Sequence, residues 1–189
     1  LGLSLAHCES KCENFYDAEE VERVFYPEIE RLLLEFFPDA VDALVYNHDV
    51  FDKEYQGDRT EDQDKKNPGV NASYANLVHN DLNDNSGRVR CRELLTQNLR
   101  NFGRTQNFTQ AQADKKMSRR FMSINLAKQM ETVEQNPFVL CAWPSFSDQP
   151  YINNYRIYDD RVGETTRFTY RPEHEWYWLP QQQPNEVSM

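Results

Sequence analysis

The chain has 189 residues, of which 39% are apolar and 28% charged, and its 31 acidic and 21 basic residues give a formal net charge of −10. A chain of this length can bury a sizeable core without disulfides, and its composition excludes a disordered tail, a coiled coil and a collagen-like sequence. The excess of acidic residues argues against nucleic-acid binding through phosphate neutralisation. No apolar run approaches the roughly 18 residues of a membrane-spanning helix. We therefore expect the chain to bind neither nucleic acid nor a membrane.

The first predicted element is an amphipathic helix. Asp17 and Glu20 form a pattern typical of a capping box, and apolar residues then recur at steps of three and four positions. Because proline is tolerated in the first helical turn but breaks the interior, the helix is predicted to bend or restart at Pro27 and to end before Pro38. The short apolar run at 43–46 follows and is predicted to be a strand.

The middle of the chain is predicted to contain loops and short helical segments. The polar segment 52–69 is typical of a mobile surface loop, and the cluster 83–87 predicts a turn. Residues 89–100 carry apolar positions at helical spacing and predict a short helix. The glutamine-rich segment 101–116 predicts either a helix start or an exposed loop.

The second half of the chain consists of short β-prone runs separated by turns that contain Pro, Asp or Gly. These runs are 121–126, 138–143, 151–158, 165–170 and 176–179. Several short strands at this spacing predict an α+β fold with a jelly-roll-like β core and helices packed outside. We expect one domain over 1–189, because too little sequence precedes the 52–69 loop to form a separate core.

The four cysteines are Cys8, Cys12, Cys91 and Cys141. The first two lie beside His7 and superficially suggest a metal site. No second Cys/His pair with the spacing of a structural zinc site follows. We therefore expect free thiols in a reducing compartment and a cytoplasmic location.

The triplet His79-Asn80-Asp81 is the feature most suggestive of chemistry. In an extended segment, residues i and i+2 point to the same face, so this imidazole and carboxylate can reach the same ion. A distant second histidine would complete the 2-His-1-carboxylate set that holds iron(II) with open positions. The alternative is a turn at a strand end in which Asp81 caps the backbone, and the triplet alone does not decide between them.

Five segments of the chain carry short motifs in a fixed order. They are Phe25-Tyr26-Pro27-Glu28, Val45-Tyr46-Asn47-His48, Val78-His79-Asn80-Asp81, Ile124-Asn125 with Pro137, and His174-Glu175-Trp176-Tyr177-Trp178 followed by Pro184-Asn185-Glu186. In this order they resemble the iron(II)/2-oxoglutarate-dependent hydroxylases and desaturases, the family that includes the cephamycin methoxylase subunit and the fungal gibberellin desaturase. The resemblance spans nearly the whole chain.

The resemblance implies an oxidoreductase with a double-stranded β-helix that uses iron(II) and 2-oxoglutarate to hydroxylate or desaturate a small molecule, as in secondary metabolism. It implies that His79 and Asp81 bind the metal. It also suggests that His48, Asn125 and Lys128 contact the substrate.

The chain also departs from the family pattern. The tryptophan, arginine and proline expected after Asn125 are replaced by Leu126-Ala127-Lys128, and Ala142 stands where an aspartate is usual. In the family, the distal metal histidine and the arginine that binds 2-oxoglutarate follow the aromatic block. The chain stops at Met189, so the resemblance implies either a truncated domain or a relative without these residues. His174 is the only histidine after Asp81, but it matches the aromatic block.

Two alternatives remain open at this stage. A jelly-roll relative without a complete metal site would be a non-catalytic binding or scaffold protein. Separately, Arg88, Arg90 and Arg92 could together clamp a carboxylate through bidentate hydrogen bonds, but we favour a solvated basic face as their explanation.

Overall fold

The computed structural model describes residues 2–52, 70–71, 77–96, 108–146, 150–157 and 162–189. These residues form two compact units. One comprises the described residues within 1–9, 77–99 and 106–189, and the other comprises those within 10–76. Within the described ranges, every helix is too short or too polar to cross a membrane.

The unit within 10–76 is built around one long helical segment. Helix α1 (Ala18–Glu20) continues through a π-helical turn (Val21–Phe25) into helix α2 (Tyr26–Phe36). Pro27 lies in the first turn of α2, immediately after the π-helical turn. The predicted end before Pro38 is confirmed, whereas the chain passes Pro27 as continuous helix that changes there from π-helical to α-helical geometry.

The N-terminus of this helical segment is capped by Asp17. Its carboxylate accepts hydrogen bonds from the backbone N–H groups of Glu19 and Glu20, at 3.0 and 3.3 Å. The reciprocal half of the predicted capping box is not formed, because the carboxylate of Glu20 accepts from the backbone N–H of Glu13 at 2.8 Å instead. The predicted helix start is therefore correct, with a different partner for Glu20.

Apolar side chains of the helix form the core of this unit. Val21, Tyr26 and Cys12 are buried together, and Phe15 packs edge-on against Phe25 with ring centroids 5.1 Å apart. Burial of these side chains stabilises the helix more than its intrinsic propensity does.

The predicted strand at 43–46 is wrong. These residues have no regular structure, and the backbone N–H of Val45 donates to the Glu30 carboxylate at 2.9 Å rather than to a neighbouring strand. The strand of this region is instead β2 (Val50–Phe51), which pairs in parallel with β3 (Val70–Asn71). Apart from Asp52, the predicted loop at 52–69 lies outside the described residues.

The other unit contains three small antiparallel sheets. They are β1 (Leu5–His7), β10 (Glu186–Ser188) and β5 (Ala127–Lys128) in the order β1-β10-β5; β4 (His79–Asn80), β8 (Val162–Arg167) and β7 (Ile152–Ile157) in the order β4-β8-β7; and the pair β6 (Leu140–Cys141) and β9 (Trp176–Tyr177). The pairing of β1 with β10 brings the two ends of the chain together. The described fold is therefore α+β with mainly antiparallel sheets, as predicted.

Two helices belong to this unit, α3 (Asp84–Thr96) and α4 (Gln110–Met117). The predicted turn at 83–87 is wrong, because α3 begins there. Asn83 accepts hydrogen bonds from the backbone N–H groups of Asn85 and Ser86, at 3.0 and 2.8 Å, and so acts as an N-cap. Asparagine and serine favour both turns and helix N-caps, so the residue types alone did not distinguish the two.

The strand predictions of the second half were correct where a neighbouring strand is available. The hairpin of β7 and β8 confirms the strand predicted at 151–158, whereas β8 begins before the run predicted at 165–170 and ends at Arg167. The run at 138–143 contains β6 and is followed by a short 3-10 helix (Trp143–Ser145). The predicted strand at 121–126 is wrong, because the edge of β10 pairs with β5, immediately after it.

Candidate functional site

His79 and Asp81 bring an imidazole and a carboxylate together at the end of β4. Nε2 of His79 lies 3.4 Å from Oδ1 of Asp81. Strand β4 pairs with β8, with His79 opposite Arg167 and Asn80 opposite Thr166. The extended backbone therefore turns residues 79 and 81 to one face, as the i, i+2 spacing predicts.

Two hydrogen bonds orient this pair. Nδ1 of His79 is 2.7 Å from the carbonyl oxygen of Leu77, and because a carbonyl only accepts, Nδ1 carries the proton. In the neutral ring, Nε2 then keeps the lone pair that a metal requires. Nδ2 of Asn125 donates to Oδ2 of Asp81 at 2.6 Å, which turns Oδ1 towards the imidazole.

The geometry of the pair resembles that of two ligands on one ion. Donors about 2.1 Å from a metal and at right angles to each other lie about 3 Å apart. The 3.4 Å separation of the His79 and Asp81 donor atoms is close to that value. Both side chains reach solvent, with 31% and 56% of their surfaces exposed, so an ion could enter without opening a core.

A complete metal site requires more ligands than this pair. In the part of the chain that the structure describes, no three His, Cys, Asp or Glu side chains lie close enough to hold a metal ion. His174 is held elsewhere, because its Nδ1 accepts from the backbone N–H of Arg171 at 3.4 Å and its ring packs edge-on against Tyr170 and Trp176. The described residues thus offer one imidazole and one carboxylate of a possible facial triad.

His48 lies in the unit within 10–76. Its Nδ1 is 2.8 Å from the hydroxyl oxygen of Tyr26, and the two rings meet edge-on with centroids 5.6 Å apart. Burial lowers the pKa of His48 below the usual 6.5, because the charged ring would lose its hydration. These contacts attach the imidazole to the helix core, and substrate binding by His48 stays a prediction.

Lys128 and Asn125 both have defined contacts within the unit that contains His79. The ammonium of Lys128 donates to the carbonyl oxygens of Cys8, at 2.9 Å, and of Pro184. These bonds connect β5 to the segments at the two ends of the chain. Asn125 contacts Asp81, as described above. Substrate binding by either residue stays a prediction.

The four cysteines all lie in the described ranges, and no disulfide joins them. Burial, and to a smaller extent the nearby Glu20 carboxylate, raise the pKa of the Cys12 thiol to about 11. A thiol with this pKa is a poor metal ligand and a poor nucleophile near neutral pH.

A cavity of about 430 Å³ lies on the face of the β4-β8 sheet opposite to His79. Asn80 and Thr166 face each other across the ladder and both line it. Because successive residues of a strand point to opposite faces, His79 points away from the cavity. The candidate metal pair and the cavity are therefore separate.

Three arginines line this cavity, Arg88, Arg119 and Arg120. The carboxylate clamp, the less favoured alternative for Arg88, Arg90 and Arg92, does not form, because the segment is helical and residues i and i+2 diverge on a helix. Arg90 pairs with Glu93 at 3.3 Å, and Arg92 pairs with Asp114.

Thr166 also lines the cavity, and its hydroxyl is buried. Thr166 is 2% exposed, and its Oγ1 has no hydrogen-bond partner in the described structure. An unpaired buried hydroxyl costs about 1–3 kcal/mol. Arg119, Arg120 and Thr166 were not among the residues predicted from the sequence. The Arg-Arg-Phe run at 119–121 was the available signal for the first two, whereas nothing in the polar run around Thr166 marks it.

Comparison with known proteins gives a consistent set of relatives. The family described as "YDMC: Oxidoreductase/YMDC permease-like domain" matches residues 1–189. The alpha-ketoglutarate-dependent dioxygenase tstK of Talaromyces stipitatus is 33% identical over 72 residues, which are 37% of this chain and 26% of that protein. The alpha-ketoglutarate-dependent dioxygenase phiK of a fungal species is 24% identical over 193 residues, which cover 100% of this chain and 62% of that protein.

A solved structure has a similar fold. A variant of the iron and alpha-ketoglutarate-dependent endoperoxidase NvfI matches with a TM-score of 0.68 at 12% sequence identity. The match covers 99% of this chain and 61% of the other, so the chain spans about three fifths of the length of that protein.

Proposed function

Because the chain belongs to the family of oxidoreductase/YMDC permease-like domains and is similar to alpha-ketoglutarate-dependent dioxygenases, we propose that it is an iron(II)/2-oxoglutarate oxygenase that hydroxylates or desaturates a small molecule. The family resemblance drawn from the sequence is confirmed by the names of its relatives and by the fold. The chain covers less than two thirds of the length of these relatives. We therefore propose, from this similarity, both the reaction and a role in secondary metabolism.

The observation that carries this proposal is the oriented pair of His79 and Asp81. The proton on Nδ1 of His79, which is donated to the Leu77 carbonyl, leaves Nε2 to bind a metal. The hydrogen bond from Asn125 leaves Oδ1 of Asp81 on the same side. Neighbours of this kind orient metal ligands and typically contribute 10- to 100-fold to metal affinity.

The roles of the chain's own residues follow from this geometry. His79 and Asp81 would hold iron, and Asn125 would keep the carboxylate from rotating. When bound, iron and 2-oxoglutarate supply the oxidising power taken from O2, and the protein supplies binding and orientation. We also propose that residues 1–189 form one jelly-roll-like domain with a double-stranded β-helix. The antiparallel pairing and the similar fold support this assignment.

A second candidate is a non-catalytic relative that serves as a binding or scaffold protein. The supporting observation is that three metal-binding side chains do not gather anywhere in the described ranges. A two-ligand site would bind iron weakly, whereas an enzyme must retain it through turnover.

Anaerobic titration with iron(II) tests the metal site. We expect the chain to bind one iron(II), with affinity lowered by more than about 100-fold in His79→Ala and by about 10- to 100-fold in Asn125→Ala. His7→Ala is the matched control, because His7 is an exposed histidine of the same unit whose nearest carboxylate, that of Glu9, is 3.9 Å away. Equal affinity in the chain and in His79→Ala would contradict the assignment.

Turnover separates the two candidates. An enzyme loaded with iron should convert 2-oxoglutarate to succinate, and His79→Ala should not. Specific iron binding without 2-oxoglutarate consumption in any fungal metabolite extract would favour the non-catalytic relative.

A further inference from the structure

The cavity opposite His79 contains an unusual buried hydroxyl. Nearly all buried polar groups in folded proteins have a hydrogen-bond partner, so the unpaired Oγ1 of Thr166 requires an explanation. Its neighbour Thr165 shows the usual arrangement. Oγ1 of Thr165, on the other face of β8, accepts from Nδ2 of Asn154 at 3.2 Å. A ligand in the cavity would give Thr166 the partner that the fold does not.

Positive charge also collects at this cavity. Arg88 comes from α3, and Arg119 and Arg120 follow α4. Among the described residues, no carboxylate lies within ion-pair distance of these three guanidinium groups. One acidic side chain, that of Asp84, shares the lining. This concentration of cations in a chain of net charge −10 favours an anionic ligand.

The cavity has an aromatic wall. Phe146 packs edge-on against Trp143 and against Phe168, with ring centroids 5.1 and 5.2 Å apart, and Tyr151 lies 6.3 Å from Phe168. All four rings line the cavity. Its volume of about 430 Å³ falls within the range of small-molecule sites, which combine apolar walls with a few polar groups.

We propose that this cavity binds a small organic carboxylate with an apolar or aromatic body, at a site separate from His79 and Asp81. The planar guanidinium groups match a carboxylate in bidentate geometry, and the hydroxyl of Thr166 donates to the ligand. The aromatic wall covers the ligand's apolar body, which a bare inorganic ion lacks. The site does not depend on iron, because the sheet separates it from the metal pair.

Calorimetric titration of the full 189-residue chain tests this site without metal. The probe is phenylacetate, and its neutral isostere phenylacetamide is the control for charge. We expect saturable binding of one phenylacetate and at least about tenfold weaker binding of the amide, since charge-assisted hydrogen bonds are the strong ones. Phenyl phosphate and inorganic phosphate distinguish a carboxylate site from a phosphate site.

Matched variants assign the site to the cavity. The double substitution Arg119→Gln with Arg120→Gln should weaken phenylacetate binding at least about tenfold, and Thr166→Val several-fold. Arg31→Gln, an exposed arginine of α2, and Thr165→Val should leave binding unchanged. His79→Ala should also leave it unchanged, whereas the arginine variants should keep their iron affinity, so this inference and the proposed function can fail separately.

Several outcomes would overturn the inference. Equal binding of phenylacetate and phenylacetamide would show an apolar pocket without anion selectivity. Tighter binding of phenyl phosphate than of phenylacetate, or equal binding of inorganic phosphate, would refute the carboxylate assignment. Saturable binding that persists in the arginine double variant, or no binding at about 10 mM probe, would refute the site.

Discussion

Replacing Thr166 by valine exchanges a buried hydroxyl for a methyl group of nearly the same size. Thr166 is 2% exposed, and its Oγ1 is unpaired in the described structure, so folding removes this hydroxyl from water without compensation. The desolvation cost of such a group is about 1–3 kcal/mol, and valine does not carry it. We expect Thr166→Val to raise the free energy of unfolding by about 1–2 kcal/mol.

The neighbouring threonine provides the matched control. Thr165 lies on the opposite face of the same strand, and its hydroxyl accepts from Nδ2 of Asn154 at 3.2 Å and donates to the Asn154 carbonyl oxygen at 3.3 Å. Thr165→Val removes both hydrogen bonds. Since each typical bond contributes about 0.5–1.5 kcal/mol, the loss of both should make this variant less stable by about 1–3 kcal/mol. The same substitution, threonine to valine, is therefore expected to raise the free energy of unfolding at position 166 and to lower it at position 165.

Urea unfolding measures both effects. For a chain of this size the slope m is about 1–3 kcal/mol per molar urea, so the transition midpoint should rise by about 0.5–1 M in Thr166→Val and fall in Thr165→Val, with m unchanged. A Thr166→Val variant less stable than the parent would refute the reasoning. That result would mean that the hydroxyl is paired in solution, and the case for its donation to a ligand would fail as well.

Three other predictions follow from the described contacts. Because burial lowers the pKa of His48, the unfolded chain takes up a proton near pH 6.5 before the folded chain does, so stability should fall as pH drops below about 6.5 and stay level above it. Urea midpoints at about pH 5.5 and about pH 8 should show this slope, and His48→Gln should reduce it. Cys12, with its pKa raised to about 11, should react with iodoacetamide more slowly than the more exposed Cys141 in the folded chain and at the same rate after unfolding. Asn83→Ala should lower the free energy of unfolding, measured with urea, by about 1 kcal/mol, because the first turn of α3 loses its cap. Asn83→Ser should keep most of the parent's stability, because serine is also a good N-cap.

Local patterns predicted the parts of the fold that depend on local interactions. The end of the long helical segment before Pro38, the cap at Asp17 and the presence of strands near β7 and β8 were all predicted from residue type and spacing. The strands predicted at 43–46 and 121–126 were wrong. A strand requires a partner with unpaired backbone groups, and the position of that partner is not encoded in the run itself.

The candidate site also combines a feature that local spacing predicted with one that only folding produces. The i, i+2 spacing of His79 and Asp81 was enough to predict that their side chains share a face, because the alternation of an extended backbone is a local property. Their orientation was not predictable. The carboxylate of Asp81 is held by Asn125, which is 44 residues further along the chain, and only folding brings the two together.

The amino-acid sequence by itself was enough to indicate the family, the long helical segment and the shared face of His79 and Asp81, because each depends on short patterns that do not require knowledge of the fold. The tertiary structure alone decided which strands pair, which arginines form ion pairs and which face the cavity. It also decided that Thr166 is buried without a partner while Thr165 beside it is satisfied. These properties depend on side chains distant in sequence, and only the packing of the elements sets the distances between them.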